Sequence, residues 1–169
     1  MARLAADWAK APRRISAVTA STRIGEMRML LALPSTFMNE SGRPVAALAK
    51  YYSVSSDDII LVHDDIDLPF GRMRFHFGRG PGGHNGVASV LQALGGVELW
   101  RLRIGVGRPP GRVDPADFVL RRFSKEERPE VDLIVVEAAD VLTAFAASGE
   151  EEAKRIAGEG NRRREDGPL

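Results

Sequence analysis

Hydrophobic and polar residues alternate strictly along two stretches of the chain, and a period of two predicts strands. The stretches are RMRFHF at residues 72–77 and WRLRIGVG at residues 100–107. The side chains predicted to face inward are Met73, Phe75, Phe77, Leu102 and Ile104. Those predicted to face outward are Arg72, Arg74, His76, Arg101 and Arg103. Both strands are therefore expected to carry a basic outer face.

Further elements follow from apolar runs and from apolar residues spaced three or four apart. Strands are predicted at residues 14–22 and 26–34, joined as a hairpin at Ile24-Gly25, and at residues 57–65. Helices are predicted at residues 3–10, 39–52, 85–94 and 130–147. Pro12 ends the first helix, and Asn39 or Ser41 is the candidate N-cap of the second.

Strands that alternate with helices favour an α/β fold in a single domain, on a mixed twisted sheet with helices packed on both faces. The chain has 169 residues, enough for one domain with a sizeable core. We expect this domain to span residues 1–148. Residues 149–169 are mostly charged or small, and we expect them to form a frayed C-terminal tail.

The composition is that of a soluble globular protein, with 44% hydrophobic and 28% charged residues and no cysteine. No apolar run is long enough to span a membrane and no secretory signal is evident, so we expect a cytoplasmic location. The net charge of +1 conceals an uneven distribution, because residues 71–112 hold seven arginines and one acid. This basic block suggests a polyanionic partner, although an ordinary solvated surface explains it equally well.

The sequence GRGPGGHNG at residues 78–86 contains G-x-G-x-x-G, the pattern of a dinucleotide-binding loop. The context argues against that function, because the preceding strand is not fully apolar and Pro81 removes a backbone N–H from the loop. A P-loop is excluded, since no Lys-Ser or Lys-Thr follows. The bare loop instead leads to His84-Asn85 at a helix N-terminus, where free N–H groups can face an anion or a polarised carbonyl. The alternative is a glycine-rich turn with Asn85 as a simple N-cap.

Polar residues also follow the strand at residues 57–65. His63, Asp64, Asp65 and Asp67 could bind a hard cation, but their spacing is not that of a regular ligand set. A solvated acidic turn is the simpler interpretation, and we expect no metal and no other cofactor.

Four motifs taken in order resemble the bacterial-type peptidyl-tRNA hydrolase family: LPSTFMNESGRPV, ILVHDDIDLPFG, GRGPGGHNG and WRLRIGVGRP. The resemblance runs from about Ala2 to Leu120 at matching spacings. It implies a monomeric α/β enzyme that hydrolyses the ester between a peptide and the 3′ ribose of tRNA. Such an enzyme recycles stalled tRNAs during translation and ribosome rescue, so the implied partner is peptidyl-tRNA.

The resemblance also implies roles for individual residues. Asp64 matches the carboxylate that holds the general-base histidine, and Asn85 matches the asparagine that orients water or the reacting carbonyl. Phe37 and Asn39 match substrate-contacting positions, and His84 lines the same groove. Arg103 matches one arm of a clamp on a tRNA phosphate.

The second arm of that clamp is usually a lysine. Its position is occupied here by His76, with Arg74 on the same strand face. A positive strand face suits a phosphate backbone and carries no base specificity.

The chain departs from the family at the general base, because none of His63, His76 and His84 matches it. The family's first strand, its Gly-Asn-Pro-Gly turn and its catalytic histidine are expected ahead of Met1, which suggests a start placed at an internal methionine. We therefore expect residues 1–169 alone to be inactive. The alternatives are a non-catalytic RNA-binding relative of the same fold and a small-molecule hydrolase that reuses the glycine loop.

Overall fold

The structure, a computed structural model, describes residues 7–166. Its strands are β1 (Ala9–Lys10), β2 (Ala17–Ile24), β3 (Met27–Pro34), β4 (Ile60–Asp65), β5 (Met73–Gly78) and β6 (Leu99–Gly105). Its helices are α1 (Gly42–Tyr52), α2 (Asn85–Ala93), α3 (Pro115–Leu120), α4 (Arg128–Ser148) and α5 (Glu150–Asp166). The predicted α/β class is confirmed. The strands form two three-stranded sheets, in the orders β1-β2-β3 and β4-β6-β5.

The chain divides into two compact units, which are described in turn. Unit 1 comprises the described part of Met1–Leu61 together with Phe77–Trp100. Unit 2 comprises Val62–His76 together with the described part of Arg101–Leu169. None of the helices within residues 7–166 has the length and apolar character needed to span a bilayer.

In unit 1 the predicted hairpin is confirmed. β2 and β3 pair antiparallel from Ala17 opposite Pro34 to Ile24 opposite Met27, and Gly25 takes the positive φ of 58° that the tight turn requires. The predicted helix at residues 3–10 is wrong at its end, because Ala9 and Lys10 form β1 on the edge of β2. Pairing with a neighbouring strand outweighs local helix preference there. Residues 3–6 lie outside the described part of the chain.

Helices α1 and α2 of unit 1 pack closely because Gly42 carries no side chain. A Cβ at Gly42 would lie 2.1 Å from the backbone oxygen of Ser89. The Ser89 hydroxyl in turn accepts a hydrogen bond from the Gly42 N–H at 3.0 Å. The apolar face of α2 forms a buried core with Leu99, made of Val87, Val90 and Leu91. This packing fixes the start of α2 beside the start of α1.

In unit 2 the predicted helix at residues 130–147 is confirmed as α4. The expected frayed tail is wrong, because residues 150–166 form helix α5 instead. Residues 167–169 lie outside the described part of the chain. Ala153 and Ala157 are buried, and charged residues of α5 reach acids of α4. Packing against α4 therefore stabilises a helix that the composition of residues 149–169 does not predict.

A buried ion cluster joins these two helices. The guanidinium of Arg164 pairs with Glu137 at 2.6 Å and with Glu130 at 2.6 Å, while Arg163 donates to Glu137 at 2.8 Å. The Glu137 side chain is 7% exposed and that of Arg164 is 10% exposed. Charges buried to this extent are costly unless paired, so the cluster ties α5 to α4.

Candidate functional site

The segment that carries Phe37 and Asn39 lies at the end of β3, in unit 1. Met38–Glu40 forms a single 3-10 turn that leads into α1, and the Phe37 side chain is 81% exposed. The capping interpretation of Asn39 is wrong, since α1 begins at Gly42 with Ser41 in the N-cap position, and the Ser41 side chain makes no capping bond. Asn39 is exposed at this turn, and its presence is not explained by helix capping.

The glycine loop of unit 1 ends at α2, as predicted, but His84 rather than Asn85 is the N-cap. The His84 Nδ1 atom accepts hydrogen bonds from the N–H groups of Gly86 at 3.1 Å and Val87 at 3.2 Å. A neutral ring that accepts at Nδ1 carries its proton on Nε2. Asn85 is the first residue of the helix and its side chain is exposed. Because His84 satisfies the helix amides, Asn85 is not required for that purpose.

Gly86 brings the two segments of unit 1 together. A Cβ at this position would lie 2.4 Å from Sδ of Met38 and 3.0 Å from Cε1 of His84. The Met38–Glu40 turn therefore packs directly on the first turn of α2. Two amide side chains, of Asn39 and Asn85, and the exposed ring of Phe37 belong to these adjoining segments. The loop that leads to this position turns at Gly82 and Gly83, which adopt φ of 60° and 78°.

Unit 2 carries the other predicted residues, on the strands of the β4-β6-β5 sheet. Because side chains alternate along a strand, residues two apart share a face. One face of the three strands in unit 2 thus holds these side chains: His63, Asp65, Arg101, Arg103, Arg74 and His76. Asp64 lies on the opposite face of β4, half-buried, and its backbone oxygen accepts a hydrogen bond from His63 Nδ1 at 2.8 Å.

Arg103 forms an ion pair with Asp65 on this face. Its Nε donates to Oδ2 of Asp65, and the side chains are 20% and 5% exposed respectively. The backbone N–H of Asp67 donates to Oδ1 at 2.9 Å. Burial acts to raise the pKa of Asp65, but these hydrogen bonds and the positive charges of Arg103 and His63 hold that pKa below its ordinary value of 3.8. Asp65 is therefore a carboxylate at neutral pH, and the charge of Arg103 is balanced within the protein.

Arg101 was expected to face outward, and this is wrong because the residue is 5% exposed. Its Nη2 donates a hydrogen bond to Nε2 of His76 at 2.9 Å. Burial, followed by the charges of Arg101, Arg103 and Arg74 and by His63, lowers the pKa of His76 from 6.5 to about 4. Burial likewise lowers the pKa of Arg101 below its ordinary value. His76 is consequently neutral at pH 7 and adds no positive charge to the face.

The inward orientation predicted for Phe77 is also wrong. Met73 and Phe75 are buried as predicted, but Phe77 is 38% exposed and packs on Trp100 with ring centroids 4.9 Å apart. Side chains along β5 still alternate between the two faces of the sheet. The face that carries Met73 and Phe75 is covered at those residues but partly open at Phe77.

Sequence reasoning missed Met38, and it did not foresee that Asp65 pairs with Arg103 or that Arg101 bonds His76. For Asp65 a signal existed, since it lies two residues from His63 on the same strand face as the predicted arginines. The alternation of polar and apolar residues assigns Arg101 to a strand face but does not predict that this side chain is buried. Within residues 7–166, no group of three or more His, Cys, Asp or Glu side chains is arranged to hold a metal ion. The side chains of the two sites offer amides, carboxylates, imidazoles and guanidinium groups.

Comparison with known proteins identifies a family. The family model described as peptidyl-tRNA hydrolase matches residues 1–165. A peptidyl-tRNA hydrolase of Mycobacterium marinum is 51% identical over 153 residues, which cover 90% of this chain and 80% of the relative. That of Mycobacterium tuberculosis is 50% identical over the same shares of the two chains. A crystal structure of peptidyl-tRNA hydrolase from Acinetobacter baumannii matches with a TM-score of 0.81 and 26% identity, covering 90% of this chain and 76% of that one.

Proposed function

The chain belongs to the peptidyl-tRNA hydrolase family, and from this premise we propose how its residues divide the work of hydrolysing peptidyl-tRNA. The reaction is an attack by water on the ester that joins the peptide to the 3′ ribose of tRNA. Three tasks follow from it: activating water, stabilising the charge that develops on the carbonyl oxygen, and holding the RNA. The RNA-binding and small-molecule alternatives explain fewer of the matched residues.

The amides of Asn39 and Asn85 orient the attacking water and the reacting carbonyl. Each side chain provides N–H donors and a carbonyl acceptor, which suits both partners of the reaction. The assignment is supported by the fact that neither asparagine caps its helix. Because Gly86 has no side chain, the turn that carries Asn39 also packs against the start of α2, where Asn85 lies. Phe37, which is 81% exposed, offers an apolar surface to the substrate end beside them.

Asp64 supports the general base, and the base is not one of the three histidines within residues 1–169. His84 uses Nδ1 to cap α2, and burial holds the pKa of His76 at about 4, too low for a base that works near neutral pH. His63 uses its Nδ1 to donate a hydrogen bond to the backbone oxygen of Asp64. Residues 1–169 alone are therefore expected to be inactive. Residues 1–169 joined to a family strand, a Gly-Asn-Pro-Gly turn and a histidine ahead of Met1, called the extended chain below, are expected to be active.

The tRNA backbone is held by Arg74 and Arg103, on the basic face of unit 2. Arg74 is exposed, and the Arg103 side chain is 20% exposed beside Asp65. His76 occupies the position of the usual second cation but is neutral at pH 7, so it adds no charge to the contact with RNA. Phosphate contacts of this kind bind RNA irrespective of base sequence. We further place the enzyme in the cytoplasm as a monomer that rescues stalled translation.

The assignment of the asparagines is tested by hydrolysis of peptidyl-tRNA in the extended chain. Asn39→Ser and Asn85→Ser each remove an amide at an exposed position, and we expect turnover to fall by about 10²–10³-fold, as for the loss of one oriented donor. Gln92→Ser, which removes an exposed amide on α2 itself, is the matched control and should retain full turnover. Equal turnover in all three variants would show that the asparagines play no part in the reaction.

A further inference from the structure

A turn in unit 1 presents two consecutive arginines in an uncommon backbone conformation. Arg13 and Arg14 have φ of 51° and 57°, in the left-handed region that side chains other than glycine disfavour. The turn is held at both ends, because Ala11 and Ile15 pack against Leu48 of α1. The chain reverses between β1 and β2, which pair antiparallel, and both arginines of this turn are exposed to solvent.

Aromatic side chains lie directly beside these arginines, at the last turn of α1. The Arg13 guanidinium lies over the ring of Tyr51, 5.2 Å from its centroid. Tyr52 meets Tyr51 edge to face, with centroids 4.8 Å apart and an interplanar angle of 84°. Both tyrosines are exposed to a similar extent, at 42% and 43%. We call Arg13, Arg14, Tyr51 and Tyr52 the Arg-Tyr surface.

The two segments that carry the Arg-Tyr surface are basic in sequence. Residues 8–25 contain four Lys or Arg and no acid, and α1 contains Arg43 and Lys50 and no acid. Lys10 and Lys50, both exposed, are close neighbours in sequence of the four residues of the surface. A cationic surface with flat aromatic faces combines the two groups that bind unpaired nucleotides, since the cations attract phosphates and the rings stack on bases.

We propose that the Arg-Tyr surface binds unpaired nucleotides of RNA, with Arg13 and Arg14 on the phosphates and Tyr52 stacked on a base. This site is separate from the residues assigned above to hydrolysis and to the phosphate contacts of unit 2. The proposal rests on the proposed function only in that RNA is the partner. The left-handed conformation of Arg13 and Arg14 fits this role, because it keeps two adjacent cationic side chains exposed on one turn.

The test is binding of an unstructured RNA of about 12 nucleotides, a length within the site sizes of single-strand binders. Arg13→Gln/Arg14→Gln removes two phosphate contacts. The slope of log affinity against log salt concentration should therefore become shallower by roughly 0.7 for each contact, about 1.4 in all. Tyr52→Leu keeps an apolar side chain but removes the stacking face, and affinity should fall roughly 5- to 150-fold. Thermal melting of each variant checks that the fold is retained.

The matched control is Arg23→Gln/Arg28→Gln, since these exposed arginines face each other across β2 and β3 in the same unit. The control should bind the RNA as the unaltered chain does. An equal loss in the control would overturn the proposal, because the effect would then be one of total charge. Unchanged binding by Tyr52→Leu, or equal binding of an acidic peptide, would also overturn it.

The proposed function can fail or stand independently of this surface. A chain that binds intact tRNA but not the unstructured RNA would overturn the Arg-Tyr surface and leave the function intact. Loss of RNA binding in the Arg13/Arg14 variant, with unchanged hydrolysis of a minimal peptidyl-nucleotide by the extended chain, would support the surface.

Discussion

Arg101 and His76 form a buried cation–imidazole pair in which the arginine donates, at 2.9 Å, to Nε2 of the histidine. The histidine must be neutral to accept this bond, and the pair thus fixes both its protonation state and its tautomer. Side-chain alternation predicts that these two residues share a strand face. Their effect on each other depends on burial, which the alternation does not reveal.

The first prediction is a loss of stability on acidification that traces to His76. The unfolded chain binds a proton at this residue below pH 6.5, whereas the folded chain does so only near pH 4. The free energy of unfolding should therefore fall as the pH drops from 6.5 to 4, by up to about 3 kcal/mol. His76→Gln can still accept from Arg101 and does not titrate, so denaturant melts of this variant should depend less on pH across that window.

NMR titration of the His76 ring is the direct check. A midpoint close to 4 is expected in the unaltered chain, and Arg74→Gln should raise it by removing a nearby positive charge. A midpoint near 6.5 in both proteins would refute the account of the pair.

The second prediction concerns Asp65 and the binding of tRNA. Asp65→Asn removes the carboxylate that balances Arg103, so this guanidinium becomes an unpaired cation on the face proposed to hold RNA. The slope of log affinity against log salt concentration should then become steeper by up to about one unit. Asp65→Asn/Arg103→Gln also removes the proposed phosphate contact of Arg103 and should make the slope shallower than in the unaltered chain. If Asp65→Asn instead flattens the slope, the carboxylate is needed to hold Arg103 in place for its phosphate.

The fold was predictable wherever a local pattern decided the structure, as in the β2–β3 hairpin and in α4. Helix α5 was not, since its glycines and charges form no apolar stripe, and its order depends on the pairing of Arg164 with acids of α4. The resemblance supplied the candidate site residues, and their roles stay predictions. The contacts of these residues could not be predicted from the sequence. Histidine lies outside the usual N-capping set, so the cap at His84 had no local signal, and the burial of Arg101 depends on neighbours distant in sequence.

The third prediction tests that ion cluster. Arg164→Met removes the buried guanidinium and leaves Glu137, with its 7% exposed side chain, without that partner. Removing one member of a buried pair typically costs about 3–5 kcal/mol of unfolding free energy, and α5 should detach first. Arg163→Met is the matched control, because the Arg163 side chain is 65% exposed and its loss should cost about 1 kcal/mol or less. Similar melting of the two variants would show that burial of the cluster does not matter.

The fourth prediction compares two glycines at helix starts in unit 1. At Gly42→Ala the new Cβ would meet the rigid backbone of Ser89, so the variant should lose at least about 1–3 kcal/mol of stability. At Gly86→Ala it would meet the Met38 side chain, which is 56% exposed and able to move. Gly86→Ala should therefore melt nearly normally but lose turnover in the extended chain, since the Asn39 turn is displaced. A Gly86→Ala enzyme with full turnover would contradict the role given to that turn.

The central claim is that this chain serves peptidyl-tRNA hydrolysis with Asp64 behind a base that is none of its three histidines. The most direct measurement is the rate of peptide release from peptidyl-tRNA by residues 1–169, by the extended chain, and by the extended chain with Asp64→Asn. We expect no release above background from the first, turnover from the second, and a fall of about 10²–10⁴-fold in the third with unchanged melting. Full turnover by residues 1–169 alone would contradict the account, because the base would then be His63, His76 or His84.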